Sequence, residues 1–173
     1  MDTSALISVE EYLHTSFPDG DREYVDGRIV ERNMGEFDHS DVQSSILHYF
    51  RTHYKMLWAG VEVRVQVKRT RFRIPDVTVI KDLKAREQII RTPPFLVIEV
   101  LSPDDRVGEL QEKIDDYLSF GIPYVWVVNP VMRRAYTHTS DGSHECKDGV
   151  MRAENPGIEV PLAEVLPPVS SSR

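Results

Sequence analysis

Apolar and polar positions along the chain follow patterns that predict both helices and strands. Ser8 begins a capping-box sequence in front of a short helix, and the Asp-Gly pair at 26–27 separates two apolar segments as in a β-hairpin. Apolar residues three and four positions apart predict a long helix over residues 39–57, whereas strict alternation over residues 61–68 predicts a half-buried strand.

The middle of the chain contains three short apolar runs that predict buried strands: Ile74–Ile80, Phe95–Leu101 and Tyr124–Val128. An amphipathic helix is predicted between the second and third runs, over residues 102–120, and Gly121 follows it as a C-cap. A strand, a helix and a strand in this order form a right-handed crossover with parallel strands. The pattern therefore predicts an α/β fold with a mixed central sheet flanked by helices.

The 173 residues are predicted to form one domain over residues 1–165. This domain consists of an N-terminal helix and hairpin (8–33), a core (38–130) and a terminal hairpin (131–150). The Pro- and Ser-rich tail at 166–173 is expected to fray.

Two of the apolar runs contain one carboxylate each where an aliphatic residue is expected. Asp76 directly follows Pro75, and Glu99 lies inside an otherwise apolar run. An isolated buried carboxylate costs several kcal/mol or becomes neutral, so both need compensation. Side chains alternate along strands, so neighbouring strands in a suitable register would bring both carboxylates together around a shared cation. A buried ion pair at Glu99 and a strand-end position for Asp76 are the alternatives.

Lys113 lies at the border of the buried stripe of the amphipathic helix, four residues before Tyr117. Its apolar stem can extend along the sheet and place the ammonium group near Glu99. Pairing with Glu109 or Glu112 in water is an equally good interpretation.

Composition limits the classes of partner. The net charge of −7 argues against broad, charge-driven binding of nucleic acid but leaves room for a local basic groove. One cysteine excludes an intrachain disulfide and fits a reducing compartment, so a cytoplasmic location is expected. No apolar run approaches the roughly 20 residues that span a bilayer, and no membrane partner is expected.

A cluster of basic residues precedes Asp76 and has two interpretations. They are a solvated strand face with its turn, or a clamp on phosphate groups beside a site. The residues are Arg64, Lys68, Arg69, Arg71 and Arg73.

Three motifs stand in order between residues 74 and 130: I-P-D-V-T-V-I, then P-P-F-L-V-I-E-V-L-S-P, then K-I-D-D-Y-L-S-F-G-I-P-Y-V-W-V-V-N-P. In this order they resemble the Uma2 family, whose members are described as candidate restriction endonucleases of the PD-(D/E)XK nuclease superfamily. The resemblance extends from about residue 24 to residue 130. It implies a restriction-endonuclease-like core and a nuclease activity.

The resemblance also assigns roles to individual residues. It implies that Asp76 and Glu99 bind a divalent metal and that Lys113 assists catalysis. The superfamily pattern E-x-K has a lysine where this chain has Leu101, so Lys113 on the following helix would replace it. A backbone carbonyl near Val100 is a further expected ligand.

Three more polar residues are candidates for the same site. Glu23, before the hairpin turn, is a possible further acidic ligand by the resemblance. His39 and Gln43 share one face of the long helix and could line the site. Each of these two is more often a cap or a helix-surface residue.

The expected chemistry is hydrolysis of phosphodiester bonds assisted by Mg²⁺ or Mn²⁺, on DNA rather than RNA, by a homodimer. One alternative is a catalytically inactive nuclease-fold protein that binds nucleic acid, which the absent E-x-K lysine favours. A second is another two-carboxylate enzyme such as a glycosidase. A third is a dimeric interaction protein whose acidic pair is incidental.

Overall fold

The computed structural model of the protein describes residues 6–18, 20–32, 36–82 and 87–168. The helices in these ranges are α1 (Val9–His14), α2 (Phe37–His53), α3 (Val107–Phe120) and α4 (Leu162–Val165). The strands are β1 (Glu23–Val25), β2 (Arg28–Val30), β3 (Trp58–Val61), β4 (Val65–Lys68), β5 (Arg71–Arg73), β6 (Val77–Ile80), β7 (Leu96–Val100), β8 (Tyr124–Asn129), β9 (Arg134–Thr139), β10 (Gly142–Glu145), β11 (Val150–Ala153) and β12 (Ile158–Pro161). None of these helices is long and apolar enough to cross a membrane.

The central sheet has the strand order β10-β9-β8-β7-β6-β3. Strands β7 and β8 are parallel and the other neighbours are antiparallel, which confirms the predicted mixed sheet. Alternating residues of β7 serve opposite faces, because Leu96 and Ile98 pack in the core that contains α2, whereas Val97 packs in the core that contains α3. Helices therefore cover both faces of the sheet.

A second sheet, β2-β1-β5-β4, lies beside the first and carries the N-terminal segment. The hairpin turn forms as predicted, with positive φ angles of 48° at Asp26 and 94° at Gly27. Ser8 caps α1 by accepting a hydrogen bond from the backbone N–H of Glu11. This sheet supplies Glu23 to the pocket described below.

The segment between α2 and β5 differs from the prediction. Helix α2 ends at His53, and residues 58–61 form strand β3 on the edge of the central sheet instead of a helix end. The alternating stretch 61–68 is also divided, because β4 pairs with β5 in the second sheet while β3 pairs with β6. Glu62, with a φ of +54°, lies at the division. Pairing with two different sheets has overridden the local pattern.

The C-terminal part adds structure that the periodicity did not predict. The hairpin β9–β10 forms within residues 131–150, and a second hairpin, β11–β12, follows it. Leu166 is buried in the main core with α4, so fraying does not begin there as expected. The reason is that Leu166 covers apolar surface beside α2. Residues 169–173 of the expected tail lie outside the described residues.

Candidate active site at the end of the central strands

A cavity of about 560 Å³ lies where β6 begins and β7 ends, between the β1–β2 hairpin, the start of α2 and α3. Its walls carry acidic, basic and uncharged polar side chains. Those named by the sequence are Glu23, His39, Gln43, Arg73, Asp76, Glu99, Val100 and Lys113. The folded chain thus brings all the acidic candidates and Lys113 into one pocket.

Asp76 is almost fully buried and is held from several directions. Its Oδ1 lies 2.9 Å from Arg32 Nη2, and its Oδ2 accepts the backbone N–H of Val100 at 2.7 Å and lies 3.2 Å from His39 Nε2. The side chain of Gln43 donates to the backbone carbonyl of Asp76 at 3.0 Å. Burial alone would raise the pKa of Asp76, but the hydrogen bond from His39 and the charge of Arg32 outweigh it and lower the pKa. Asp76 is therefore held as a carboxylate.

Glu99 has the opposite electrostatic environment. It points toward α3, where Tyr117 donates a hydrogen bond of 2.6 Å to Oε1 and Lys113 Nζ lies 3.6 Å from Oε2. Burial raises the pKa of Glu99 to about 7, although the Lys113 ammonium acts against this rise, and the negative charge of Asp76 adds to it. The charge on Glu99 is therefore incompletely compensated near neutral pH.

Lys113 lies between two carboxylates. Its Nζ is 3.1 Å from Glu23 Oε1 as well as 3.6 Å from Glu99 Oε2. Burial would lower the pKa of the lysine, but the charges of Glu99 and Glu23 raise it above its ordinary value. The surface pairing considered above is not what the structure shows, since Glu109 pairs with Arg106 and Glu112 pairs with arginines of the second sheet.

Glu23 is itself anchored by a buried ion-pair network. Arg73 Nη1 lies 3.0 Å from Glu23 Oε2, and Arg73 Nη2 lies 2.7 Å from Asp116 Oδ2 on α3. The backbone N–H of Ile74 also donates to Glu23 Oε1 at 3.1 Å. This network fixes the second sheet against α3, so Arg73 acts as a structural cation inside the protein.

Three of the four remaining residues of the proposed phosphate clamp also face carboxylates. Arg64 pairs with Asp21 at 2.6 Å, Lys68 pairs with Asp116 at 2.7 Å, and Arg71 contacts Asp26, Glu112 and Asp116. Arg69 is exposed in the β4–β5 turn, and of the five residues only Arg73 is among the described residues that line the pocket. Lys68, Arg71 and Arg73 therefore join the second sheet to α3, and the ion pairs of the cluster divide what would otherwise be a continuous basic surface.

Two important residues escaped the sequence analysis. Arg32 lies 44 positions before Asp76, and nothing in its local sequence indicates the pairing. Tyr117 was assigned to the buried stripe of α3, but its hydroxyl bonds to Glu99. A buried tyrosine hydroxyl needs a polar partner, and this requirement is the signal that could have linked the two residues.

The chemistry of the donor set fits a divalent cation. Asp76 and Glu99 offer the hard carboxylate oxygens that Mg²⁺ and Mn²⁺ prefer. Burial, with the negative charges of Asp76 and Glu23, raises the pKa of Glu99 to about 7, so a cation beside it would favour its ionised form. In the part of the chain that the structure describes, no group of three or more His, Cys, Asp or Glu side chains is arranged to hold a metal. A metal ion would thus have to compete with Arg32 and Lys113.

Comparisons with known proteins identify the family and the fold of the chain. A sequence model of the Uma2 family, described as "Putative restriction endonuclease", matches residues 9–169. The fold matches a crystal structure described as a putative nuclease belonging to DUF820 from Anabaena variabilis, with a TM-score of 0.79 at 20% sequence identity. That match covers 92% of this chain and 97% of the other. A comparison with curated proteins gave no match.

Proposed function

The chain belongs to the Uma2 family of restriction-endonuclease-like nucleases, and we propose that it is a metal-dependent endonuclease that hydrolyses phosphodiester bonds of DNA in preference to RNA. One observation carries the proposal: Glu23, Asp76 and Glu99 meet Lys113 in one pocket at the end of the central strands. Carboxylates that would repel each other are held together there, as a cation site requires.

Asp76 and Glu99 would hold Mg²⁺ or Mn²⁺, and the backbone carbonyl of Val100, a residue that lines the same pocket, is the proposed third ligand. When bound, the ion supplies Lewis acidity that lowers the pKa of a water molecule and neutralises charge on the phosphate. Glu23 and Glu99 both lie within ion-pair distance of the Lys113 ammonium, at 3.1 Å and 3.6 Å. These two ion pairs fix the position of the Lys113 ammonium group in the pocket.

Lys113 would orient the attacking water or stabilise negative charge that develops on the phosphate. It is well placed for this because its stem is largely buried and its position is fixed by two carboxylates. Tyr117 positions Glu99 through its hydrogen bond, and Gln43 positions the backbone of Asp76. These contacts restrict the rotamers of the groups that would act on the substrate.

Binding of the nucleic-acid backbone is proposed to use other arginines than those named from sequence. Arg28 and Arg106 line the pocket, and both are exposed. Guanidinium groups bind phosphate with two parallel hydrogen bonds, so they suit the contacts that position a duplex. This local positive charge would offset the overall charge of −7.

We also propose a homodimer. Strand β10 is an edge of the central sheet, and Val131 and Met132, in the turn between β8 and β9, expose 71% and 58% of their surface. Open edges and exposed apolar residues favour isologous contacts. Light scattering coupled to size-exclusion chromatography tests this, and a monomeric mass at micromolar concentration would contradict it.

The central experiment compares the wild-type protein with Asp76→Ala on supercoiled plasmid DNA and on an RNA of similar length. Each reaction contains Mg²⁺, Mn²⁺ or EDTA. We expect nicked and linear DNA only with metal and only from the wild type, with slower cleavage of RNA. Equal cleavage by Asp76→Ala, or cleavage in EDTA, would contradict the proposed mechanism.

A second function is favoured by one specific observation. Asp76 is already satisfied by Arg32, His39 and the Val100 N–H, which is the arrangement expected of a nuclease-fold protein that binds nucleic acid without cleaving it. In that case the wild type would bind DNA in a gel-shift assay but leave it intact with every metal. The plasmid experiment therefore separates the two functions.

A further inference from the structure

A second cavity, of about 550 Å³, lies next to the proposed catalytic pocket. Part of its wall is apolar and includes Trp58 on β3 together with Ile80 and Ile90. A cavity of this volume is within the range that holds small organic ligands, which are bound by apolar walls with a few placed polar groups. Nothing in the proposed hydrolytic mechanism uses it.

Trp58 is held in a defined position on this wall. A side-chain carbon built on Gly60 would lie only 2.2 Å from the indole ring, so the ring rests directly on the glycine backbone. A residue larger than glycine at this position would displace the ring. Trp58 is half-buried, so part of its surface remains available to a ligand. A fixed, accessible aromatic face is a stacking platform for another planar ring.

The cavity and the catalytic pocket are joined through Glu62. This residue lines both, its backbone N–H donates to the carbonyl of Asp76 at 3.4 Å, and its side chain lies 3.4 Å from Arg32. Its φ of +54° is unfavourable for a residue with a side chain, and such conformations persist where the surrounding structure enforces them, often at ligand sites. A ligand in the cavity would therefore contact Glu62, which in turn contacts Arg32 and the backbone of Asp76.

The polar part of the wall selects the class of ligand. Glu62, Asp21 and Glu87 are carboxylates, so the cavity repels phosphate and accepts neutral groups that donate N–H hydrogen bonds. Arg64 pairs with Asp21 and limits the negative charge. A neutral, planar ring with amino groups matches both the apolar and the acidic walls.

We propose that this cavity binds one unpaired nucleobase of the substrate strand, whose phosphate lies in the adjacent catalytic pocket. The inference rests on the proposed function, because that function supplies the nucleic acid. Adenine, cytosine and guanine carry exocyclic amino groups that can donate to a carboxylate, whereas the single N3–H donor of thymine lies between two carbonyl oxygens that a carboxylate repels. The cavity should therefore favour the three amino-bearing bases over thymine.

The chain offers its own optical probe for this proposal. Its two tryptophans are Trp58, which is half-buried at the cavity, and Trp126, which is fully buried in the core. Quenching of tryptophan fluorescence by an added base thus reports on Trp58. Titrations are carried out in EDTA, so that no metal-dependent cleavage interferes.

The probes are end-labelled single-stranded ten-nucleotide oligomers of dC, of dT, and of abasic residues with the same number of phosphates. We expect the dC oligomer to quench the fluorescence of Trp58, the dT oligomer to quench it less and the abasic oligomer not to quench it. The anisotropy of the end label should show that all three oligomers bind. Trp58→Leu should weaken binding of dC by about tenfold and leave the abasic oligomer unchanged. The control Phe37→Leu removes an aromatic ring that is 82% exposed and is not among the residues lining the cavity. It should change the affinity for neither the dC nor the abasic oligomer.

Glu62→Gln provides a variant that keeps the size of the side chain and should reduce the preference for dC over dT. Equal quenching by the abasic oligomer, or equal loss of dC and abasic binding in Trp58→Leu, would overturn the proposal. These binding results do not depend on cleavage. Cleavage without base-dependent binding overturns only the cavity assignment, whereas base-dependent binding without cleavage overturns the proposed nuclease function and leaves the cavity assignment standing.

Discussion

The hydroxyl group of Tyr117 donates a hydrogen bond of 2.6 Å to Oε1 of Glu99, and both residues are buried between α3 and the central sheet. Burial raises the pKa of Glu99 to about 7, while this hydrogen bond acts in the opposite direction. Tyr117 therefore helps to keep Glu99 ionised in the pH range where the protein would bind a metal.

The first prediction concerns Tyr117→Phe. Removing the donor should raise the pKa of Glu99 further, because a hydrogen bond to a charged group is worth about 1.5–3 kcal/mol, or about one to two pKa units. The acid limb of the pH profile of DNA cleavage should move to higher pH by about that amount. The control Tyr54→Phe removes a hydroxyl that bonds to the backbone of Glu159 instead, and its profile should stay in place. Identical profiles for both variants would show that Tyr117 only fills space.

The second prediction concerns the pH dependence of stability in Glu99→Gln. The folded state raises the pKa of Glu99 from 4.5 to about 7, so the unfolded state loses its proton first. The contribution of this group to stability is present below about pH 4.5 and is lost as pH rises to about 7, by on the order of 3 kcal/mol. Glutamine does not ionise and avoids this loss.

The difference in Tm between Glu99→Gln and wild type, measured without metal, should therefore increase between about pH 4.5 and pH 7.5 in favour of the variant. Glu164→Gln, which changes an exposed residue of α4, serves as the control and should show a flat difference. A variant that is less stable than wild type at pH 7.5 would mean that ionised Glu99 is an essential partner of Lys113.

The third prediction concerns Lys113→Met, which keeps most of the stem and a high helix propensity. If Lys113 acts in the transition state, cleavage should slow by about 10²–10³-fold, while the affinity for DNA measured without metal changes little. Lys147→Met removes an exposed lysine that is not among the described residues lining the pocket, and should cleave like wild type. Cleavage at the wild-type rate by Lys113→Met would exclude the assigned role.

The fourth prediction separates structural arginines from substrate contacts. Arg73→Met leaves Glu23 and Asp116 without their shared buried cation, which should lower the free energy of unfolding by about 3–5 kcal/mol in urea titrations. Arg69 is exposed in the turn between β4 and β5, so Arg69→Met should change the free energy of unfolding by less than about 0.5 kcal/mol.

Nucleic-acid binding gives a second readout for the same question. Arg106→Met, at the pocket, should reduce the salt dependence of DNA binding by about one counterion, because one phosphate contact is lost. Arg71→Met should not, since Arg71 faces carboxylates of the protein. A reduced salt slope in Arg71→Met would restore the phosphate-clamp interpretation.

Much of the fold was predictable because its signals are local. The β7–α3–β8 unit follows from two apolar runs around an amphipathic helix, and the structure has it with parallel strands. The hairpin at Asp26 follows from turn chemistry alone. In these segments, the type of secondary structure is decided by residues within a few positions.

The errors lie where distant pairing decided the outcome. Residues 58–61 became an edge strand because β6 offers a hydrogen-bonding partner, and the alternating stretch 61–68 was shared between two sheets. Leu166 is buried because α2 and α4 leave apolar surface for it to cover. Periodicity cannot indicate which sheet or core a segment will meet.

The candidate site shows the same division. By itself the sequence singled out Asp76 and Glu99, because a carboxylate inside an apolar run is costly, and it left Lys113 equally able to pair with Glu99 or with acidic residues of its own helix. Only the tertiary structure decided how each charge is compensated, through Arg32 at Asp76 and Glu23 at Lys113. The physical reason is that the cost of burying a charge is visible in a local pattern, whereas its partner comes from a part of the chain that only folding brings near.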